Sequence, residues 1–285
     1  MAVIFAFCCI FCSAMNDFVF KLFARKPRSR GLFVLVIGAA WSIASLFLPG
    51  LKGSSWQVTI TWGIISGLFS VIGNLLLIEA MGKQSAGLCS TIYRLNLALV
   101  VPGAAIIFKE YNTLMQYIGI AAALAAVLFF LPGSVTKEKR NDGTLGLILV
   151  IIAAILRAGM GLSYKYGFNL GASANGVNLI NGFCWIIGGG IYFILRELKN
   201  DQLDKWSGKV AGYGILSGLF VFGIVFFMAH SVRLGNASIV LPIMQMSFIV
   251  TFVLSAVFLK EKITIYKFLA LTSGAAALLL LSIKP

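Results

Sequence analysis

The sequence of 285 residues has little charge: Asp, Glu, Lys and Arg make up 11% of it, and it contains a single His. Apolar residues make up 60%, and the mean hydropathy is +0.97. A water-soluble chain of this length could not bury so much apolar surface, and a disordered or disulfide-rich secreted chain would have a different composition. The composition therefore predicts a polytopic membrane protein, surrounded by the lipid bilayer.

Acidic residues are the scarcest charged class, with nine Asp and Glu against 23 Lys and Arg, which gives a net charge of +14. In a soluble protein this excess would suggest a nucleic-acid partner, but in a membrane protein basic residues collect in the loops on one side. We therefore expect no nucleic-acid partner. The five cysteines lie in apolar stretches and are odd in number, so we expect neither a disulfide framework nor a metal site, and no cofactor.

About 20 apolar residues are needed to cross a bilayer as a helix. The chain divides into ten apolar runs at polar or Gly/Pro-containing breaks, near 3–23, 32–49, 58–81, 86–108, 114–132, 144–168, 174–195, 210–232, 237–259 and 263–282. The fold class expected is thus an all-α integral membrane protein with ten transmembrane helices.

An internal repeat is visible at an offset of 151 residues. Residues 62–69 read WGIISGLF and residues 213–220 read YGILSGLF, and the same offset places Lys109 on Lys260. Chance does not keep one register over such a distance. The two shared G-x-x-x-G patterns are typical of close packing between membrane helices.

The repeat divides the chain into a first half at 1–133, a short linker at 134–143 and a second half at 144–285. Each half holds five predicted spans, and an odd number makes the second half enter the membrane from the opposite side. Inverted repeats of this kind are typical of transporters, in which a site between the halves opens to either side in turn.

At this point the residues resemble a known family. The first span contains SAMNDFVFK, the connections before the fourth and ninth spans read GKQSAGL and RLGNASIVLP, and both of those spans end in K-E-x-x-T. This pattern is similar to that of EamA-type members of the drug/metabolite transporter superfamily. The resemblance implies a ten-helix carrier for a small metabolite, with a central cavity lined by spans one, three, four, six, eight and nine.

Polar side chains inside the membrane are functional candidates, because an ionisable group in hydrocarbon is costly unless it is paired or faces water. Arg94 is the foremost, since the repeat places it on Gln245 and its guanidinium suits a carboxylate or phosphate. The alternative is that Arg94 is held by Asp17 or by backbone carbonyls. The predicted substrate-binding residues are Arg94, Gln245, Tyr93, Arg157, Asn96 and Tyr164.

Arg157 and Tyr164 have the spacing that places both on one face of span six, where Arg157 either reaches the cavity or forms a structural ion pair. Asp17 is a candidate proton site, and its alternative is an ion pair with Lys21 one helical turn later. Glu79 and His230 occupy positions where the resembled family usually has aromatic residues. They are candidates for gates at the two mouths of the cavity, or else solvated helix ends.

The function predicted is secondary active transport of a small polar metabolite, anionic or zwitterionic, by alternating access. Proton or counter-substrate coupling fits this interpretation, and so does a monomer. One alternative is a non-transporting scaffold or lipid-carrier flippase subunit. Another is an intramembrane enzyme, although the sequence has no G-x-S-x-G or paired acidic motif, so we expect no enzymatic activity.

The loops after the odd-numbered spans hold sixteen Lys and Arg, whereas the opposite side holds five. By the positive-inside rule both termini should then lie outside the cell, in the plasma or inner membrane. The family resemblance implies the opposite orientation, with both termini in the cytoplasm. We follow the charges.

Overall fold

The computed structural model describes residues 1–47, 55–109, 113–133, 140–205, 207–234, 244–261, 263–281 and 283. These residues are almost entirely helical, with one isolated bridge between Arg28 and Asp204. The helices in chain order are α1 Ala2–Ala24, α2 Arg30–Ser45, α3 Trp56–Lys83, α4 Ala86–Arg94, α5 Leu97–Phe108, α6 Leu114–Gly133, α7 Arg140–Asn169, α8 Ala174–Tyr192, α9 Gly208–Leu234, α10 Ser247–Phe258 and α11 Ile265–Leu281. A π-helical turn, Phe193–Glu197, continues α8.

Six helical segments in the described part of the chain are long and apolar enough to cross a membrane, and α2, α10, α11 and the apolar part of α6 are shorter apolar helices. Each predicted span overlaps one of these segments. The expected all-α membrane fold is thus present, while the count of ten spans stays a prediction. Residues 134–139 of the linker expected at 134–143 lie outside the described residues. The last four residues of that linker are helical, because α7 begins at Arg140.

Serine side chains fix the starts of three helices. Ser29, Ser85 and Ser173 precede α2, α4 and α8, and each hydroxyl accepts a hydrogen bond from the backbone N–H three residues later, at 3.2 to 3.3 Å. A hydroxyl in this position satisfies one of the unpaired N–H groups of the first helical turn. The buried Glu197 carboxylate also accepts from Ser29 Oγ and from the N–H groups of Arg30 and Gly31.

The distribution of polar side chains is the reverse of that in a water-soluble protein, and α3 illustrates it. Its outer face presents large apolar side chains, 45 to 52% exposed, at Ile60, Ile64, Leu68 and Ile72. Its inner face carries polar side chains that are buried, at Thr59, Ser66, Ser70 and Asn74. An apolar exterior is what a helix bundle in hydrocarbon requires.

Helices from the two halves of the chain pack against each other. In the interior α2 lies against α8 and α9, α1 against α9, and α3 against α7 and α8, while α6 lies against α11. The α2–α8 contact is close: a Cβ atom at Gly31 would lie 2.6 Å from Phe193 N, and one at Gly189 would lie 2.6 Å from Leu35 N. Only glycine allows this approach of the two backbones.

The two G-x-x-x-G pairs also serve close packing, as the pattern predicts. A Cβ atom at Gly67 of α3 would lie 2.6 Å from Cys184 Sγ of α8. One at Gly218 of α9 would lie 2.6 Å from the Cβ atom of Ala40 in α2. Each pair therefore joins a helix of one half to a helix of the other.

Two irregular backbone features recur at the offset of 151 residues. The break between α4 and α5 falls at Leu95, with φ −73° and ψ 3°, and Met246, before α10, has φ −72° and ψ 3°. Lys109 and Lys260 are the two non-glycine residues with positive φ in the described chain, at 55° and 53°. Both features fall at positions that the proposed repeat makes equivalent, and the repeat itself stays a prediction.

Candidate functional site

A cavity of about 120 Å³ lies among the helices, and α1, α2, α3, α4, α7, α8 and α9 all contribute to its wall. The wall contains every ionisable residue predicted deep inside the membrane. Its lining residues are Asn16, Asp17, Trp41, Ser70, Asn74, Tyr93, Arg94, Arg157, Met160, Tyr164, Asn178, Trp185, Val221, Ile224, Val225 and Met228.

Arg94 and Asp17 form a buried ion pair in the wall of the cavity. Arg94 Nη2 donates to Asp17 Oδ2 at 3.3 Å, and the two residues are 5% and 2% exposed. Thr251 Oγ1 lies 3.5 Å from the same carboxylate oxygen. Clamping of Arg94 by Asp17 is thus present, but Arg94 Nε has no hydrogen-bond partner among the described residues. A guanidinium has five N–H donors, so the ion pair leaves others for a ligand.

Arg157 is held by an aromatic residue and not by an acid. Its Nη1 donates to Tyr93 Oη at 3.2 Å, and its guanidinium carbon lies 4.6 Å from the centre of the Tyr93 ring. Within the described part of the chain no carboxylate lies within 4.0 Å of this guanidinium. Arg157 and Tyr164 share the cavity-facing side of α7, as their spacing predicts.

A chain of hydrogen bonds ties Tyr164 to α8 and α3. Asn181 Nδ2 donates to Tyr164 Oη at 2.6 Å, and Ser66 Oγ donates to Asn181 Oδ1 at 3.2 Å. Asn181 and Ser66 are completely buried. The chain fixes the position of the Tyr164 ring in the wall.

Two tryptophans of the cavity wall meet edge to face. The centres of the Trp41 and Trp185 rings are 5.9 Å apart, and the planes of the two rings form an angle of 87°. Trp185 Nε1 donates to Ser70 Oγ at 2.9 Å. Trp41, which is 3% exposed, has no hydrogen-bond partner for its indole N–H among the described residues.

Four predicted site residues do not line this cavity. Asn96 is buried at the break after α4, where its carboxamide can donate to the carbonyls of Arg94 at 3.0 Å and Tyr93 at 3.2 Å. Gln245 is half-buried immediately before the second break. Both therefore belong to the interruptions of the two spans and not to the cavity wall in this structure.

Glu79 and His230 lie outside the cavity as well, and neither is a simple solvated helix end. The Glu79 carboxylate pairs with Arg30 and accepts from Tyr192 Oη at 2.7 Å. The centre of the His230 ring lies 4.1 Å from the centre of the Phe226 ring and 5.6 Å from that of the Phe5 ring. Their role as gates stays a prediction.

The alternative in which Asp17 pairs with Lys21 is wrong, because Lys21 lies at the end of the bundle. Lys21 Nζ donates to the carbonyls of Met81 at 2.7 Å and Gln84, and lies 4.0 Å from Glu261 Oε1. Glu261 in turn accepts from the N–H of Ala86 at 3.1 Å, at the start of α4. We name Lys21, Glu261 and the backbone from 81 to 86 the end clamp. It joins the ends of α1, α3 and α4 to the segment after α10.

The helices that line the cavity are not the same set that the family resemblance implied. The resemblance implied spans one, three, four, six, eight and nine, whereas spans two and seven also contribute, through Trp41, Asn178 and Trp185. No described residue of span nine lines the cavity. None of these three residues was predicted from the sequence. The only signal for Trp41 and Trp185 was a polar N–H on an aromatic side chain within an apolar run.

No group of three or more His, Cys, Asp or Glu residues in the described segments could hold a metal ion. The chemistry available in the cavity is therefore that of guanidinium, carboxylate, amide, phenol and indole groups. Such a wall can bind a small polar molecule and surround its apolar part with aromatic and aliphatic side chains.

The model of the EamA-like transporter family matches residues 144–283. A solved protein, described as a crystal structure of a protein, superposes with a TM-score of 0.64 over 99% of this chain and 98% of that chain, at 16% sequence identity. At this identity the likeness shows a shared fold. No curated protein sequence matches the chain.

Proposed function

Because the chain belongs to the EamA-like transporter family through residues 144–283, we propose that it is a secondary transporter that carries a small anionic or zwitterionic metabolite across the membrane. The family is one of membrane transporters, and the apolar helices make this chain a multi-pass integral membrane protein. Substrate, coupling and orientation are part of the proposal.

The charge balance of the cavity carries the proposal. The described cavity wall holds two guanidinium groups and one carboxylate: Asp17 pairs with Arg94, and Arg157 adds a second positive charge with no carboxylate of the described chain within 4.0 Å. A cation brought into the membrane interior without a counter-ion is costly. A bound monoanion would restore neutrality, whereas a cationic substrate would add to the imbalance.

Alternating access is the mechanism that we propose for this site, on two grounds. The matching breaks at Leu95 and Met246 support an inverted repeat, which is the architecture on which such a mechanism is built. The end clamp joins both halves at one end of the bundle, so it is a candidate for a gate that closes this end in one state and separates in the other.

Asp17 is the group that we propose to couple proton movement to transport. It is the only carboxylate in the described cavity wall, and its partner Arg94 is also the proposed anion-binding group. An anion that draws Arg94 away from Asp17 favours protonation of the carboxyl group. Counter-substrate exchange is the alternative, in which Asp17 keeps its charge throughout.

The test is the change Arg157→Gln, with Arg196→Gln as its matched control. Both changes remove one guanidinium, but Arg196 is exposed at the end of the π-helical turn, away from the cavity. Purified protein is screened by thermal shift against carboxylates, phosphates and amines, and the best compound is measured for uptake into proteoliposomes. We expect Arg157→Gln to weaken anion binding about tenfold or more, and the control to leave it unchanged.

Two results would contradict the proposal. Amines that stabilise the wild-type protein better than every anion would refute the charge argument. Tight anion binding without any uptake into proteoliposomes would favour the scaffold or the enzyme over a transporter.

A further inference from the structure

We infer that Trp41 is a substrate-binding residue, whose indole N–H donates to an acceptor oxygen of the same anion that Arg94 binds through Nε. The inference rests on the proposed function and extends it from the guanidinium groups of the cavity wall to a tryptophan of the same wall.

The folded chain leaves several buried polar side-chain atoms without a hydrogen-bond partner among the described residues. Six buried polar side-chain atoms of the described residues lack a hydrogen bond, and four of them are serine hydroxyls. A hydroxyl rotates, so it can find a nearby backbone carbonyl with little change. The other two atoms, Trp41 Nε1 and Arg94 Nε, belong to planar indole and guanidinium groups. The plane of each group fixes the direction of its N–H bond.

Both fixed donors belong to residues of the same cavity wall. Trp41 and Arg94 lie on α2 and α4 and line the cavity of about 120 Å³. A buried donor left without an acceptor costs free energy, and native proteins rarely tolerate one without a functional reason. Both donor atoms are buried in this structure, so a compact ligand in the cavity reaches them through a small movement of the wall.

The nature of the donors limits the chemical class of the ligand. Indole and guanidinium groups donate and do not accept, so each requires an oxygen with a free lone pair. A carboxylate or a phosphate supplies at least two such oxygens, whereas an ammonium group supplies none. Trp185 differs from Trp41 in this respect, because its N–H already donates to Ser70 Oγ at 2.9 Å.

The two tryptophans offer a matched pair of variants. Trp41→Phe and Trp185→Phe each remove one indole N–H and keep an aromatic ring, and the two rings contact each other. The probes are benzoate, inorganic phosphate and benzylamine, which distinguish a carboxylate, a phosphate and a cation. The measurements are the melting temperature without probe and the dissociation constant of each probe that binds, on the full-length protein in detergent.

We expect Trp41→Phe to weaken binding of the anionic probe by about three- to tenfold, since one hydrogen bond to the ligand is lost. The melting temperature without probe should fall no more than for Trp185→Phe, because both changes remove the same buried ring volume and the N–H of Trp41 had no partner. Trp185→Phe should lower the melting temperature, because it leaves Ser70 without its donor. Trp56→Phe, at a tryptophan that is 56% exposed and outside the cavity wall, is the control and should change neither quantity. A purely structural role of Trp41 would leave the affinity for the anionic probe unchanged.

The outcomes separate this inference from the proposal beneath it. Wild-type protein that binds an anionic probe while Trp41→Phe binds it equally well overturns the role of Trp41 and leaves the anion site in place. Wild-type protein that responds to benzylamine and to neither anion overturns the anion site, and the inference with it. Benzoate binding without phosphate binding assigns the acceptor as a carboxylate, and the reverse assigns a phosphate.

Discussion

Arg94 has two roles in the structure, as the partner of a buried carboxylate and as a proposed ligand-binding group, and a set of three variants can separate them. Arg94→Gln leaves the Asp17 carboxylate, 2% exposed, with Thr251 Oγ1 at 3.5 Å as its remaining hydrogen-bond partner among the described side chains. Removing one partner of a buried ion pair costs about 3 to 5 kcal/mol. Because Arg157 adds positive charge to the same cavity, we expect the lower end, about 3 kcal/mol.

Adding Asp17→Asn to Arg94→Gln removes the unpaired charge, so most of this loss should be recovered, to within about 1 kcal/mol of the wild-type protein. The recovery should not extend to binding, since both variants lack the guanidinium. Asp17→Asn alone is the informative contrast. It should lower stability, yet bind an anion at least as well as the wild-type protein, because it raises the positive charge of the cavity.

Stability is measured by equilibrium unfolding in mixed micelles, and binding by titration with the best anion from the thermal-shift screen. Arg94→Lys completes the series: it keeps the charge but loses the planar fork, so anion binding should weaken by about 1 to 3 kcal/mol. A double variant no more stable than Arg94→Gln would refute the ion-pair argument. Anion binding that survives both Arg94→Lys and Arg94→Gln in folded protein would remove Arg94 from the site.

Three further predictions concern orientation, mechanism and packing. A cysteine placed after Pro285 should react with an impermeant thiol reagent in intact cells, because the charge bias places both termini outside; reaction only after lysis would reverse the orientation. Cysteines at Gln84, in the end clamp, and at Gly235, outside the described residues, should cross-link to neighbouring helices with opposite dependence on added substrate, whereas equal responses would indicate a channel or a scaffold. Gly189→Val should lower the melting temperature strongly, since a Cβ atom there would lie 2.6 Å from Leu35 N. The same change at Gly208, where nothing lies within 4 Å of such an atom, is the control.

The ionisable part of the cavity could be predicted from the sequence because charge inside hydrocarbon is rare and costly. Asp17, Arg94 and Arg157 are candidates on that ground, and all three line one cavity. The sequence left two partners for Asp17, Arg94 and Lys21, and the structure selects Arg94, because Lys21 lies in the end clamp. Local spacing thus identified a candidate pair, and the packing of α1 against other helices decided against it.

The neutral part of the wall could not be predicted from the sequence. Trp41 lies in an apolar run, where an aromatic side chain can face lipid, a neighbouring helix or a cavity equally well. The direction it faces is set by contacts of α2 with α8 and α9, more than 100 residues further along the chain. Gln245 shows a different limit. The repeat matches it to Arg94, but in this structure Arg94 lines the cavity and Gln245 does not.

The interleaving of helices from the two halves has a consequence for synthesis in the cell. The chain enters the bilayer from its N-terminus, so α1, α2 and α3 are inserted before α8 and α9 have been translated. Until then Asn16 lacks the hydroxyl of Ser217, and Ser66 lacks the carboxamide of Asn181. The inner polar faces of the early helices must be shielded by one another or by the insertion machinery during this interval. Truncation after the first five predicted spans should therefore leave a product that is inserted but degraded rapidly, and co-expression of the second half should protect it.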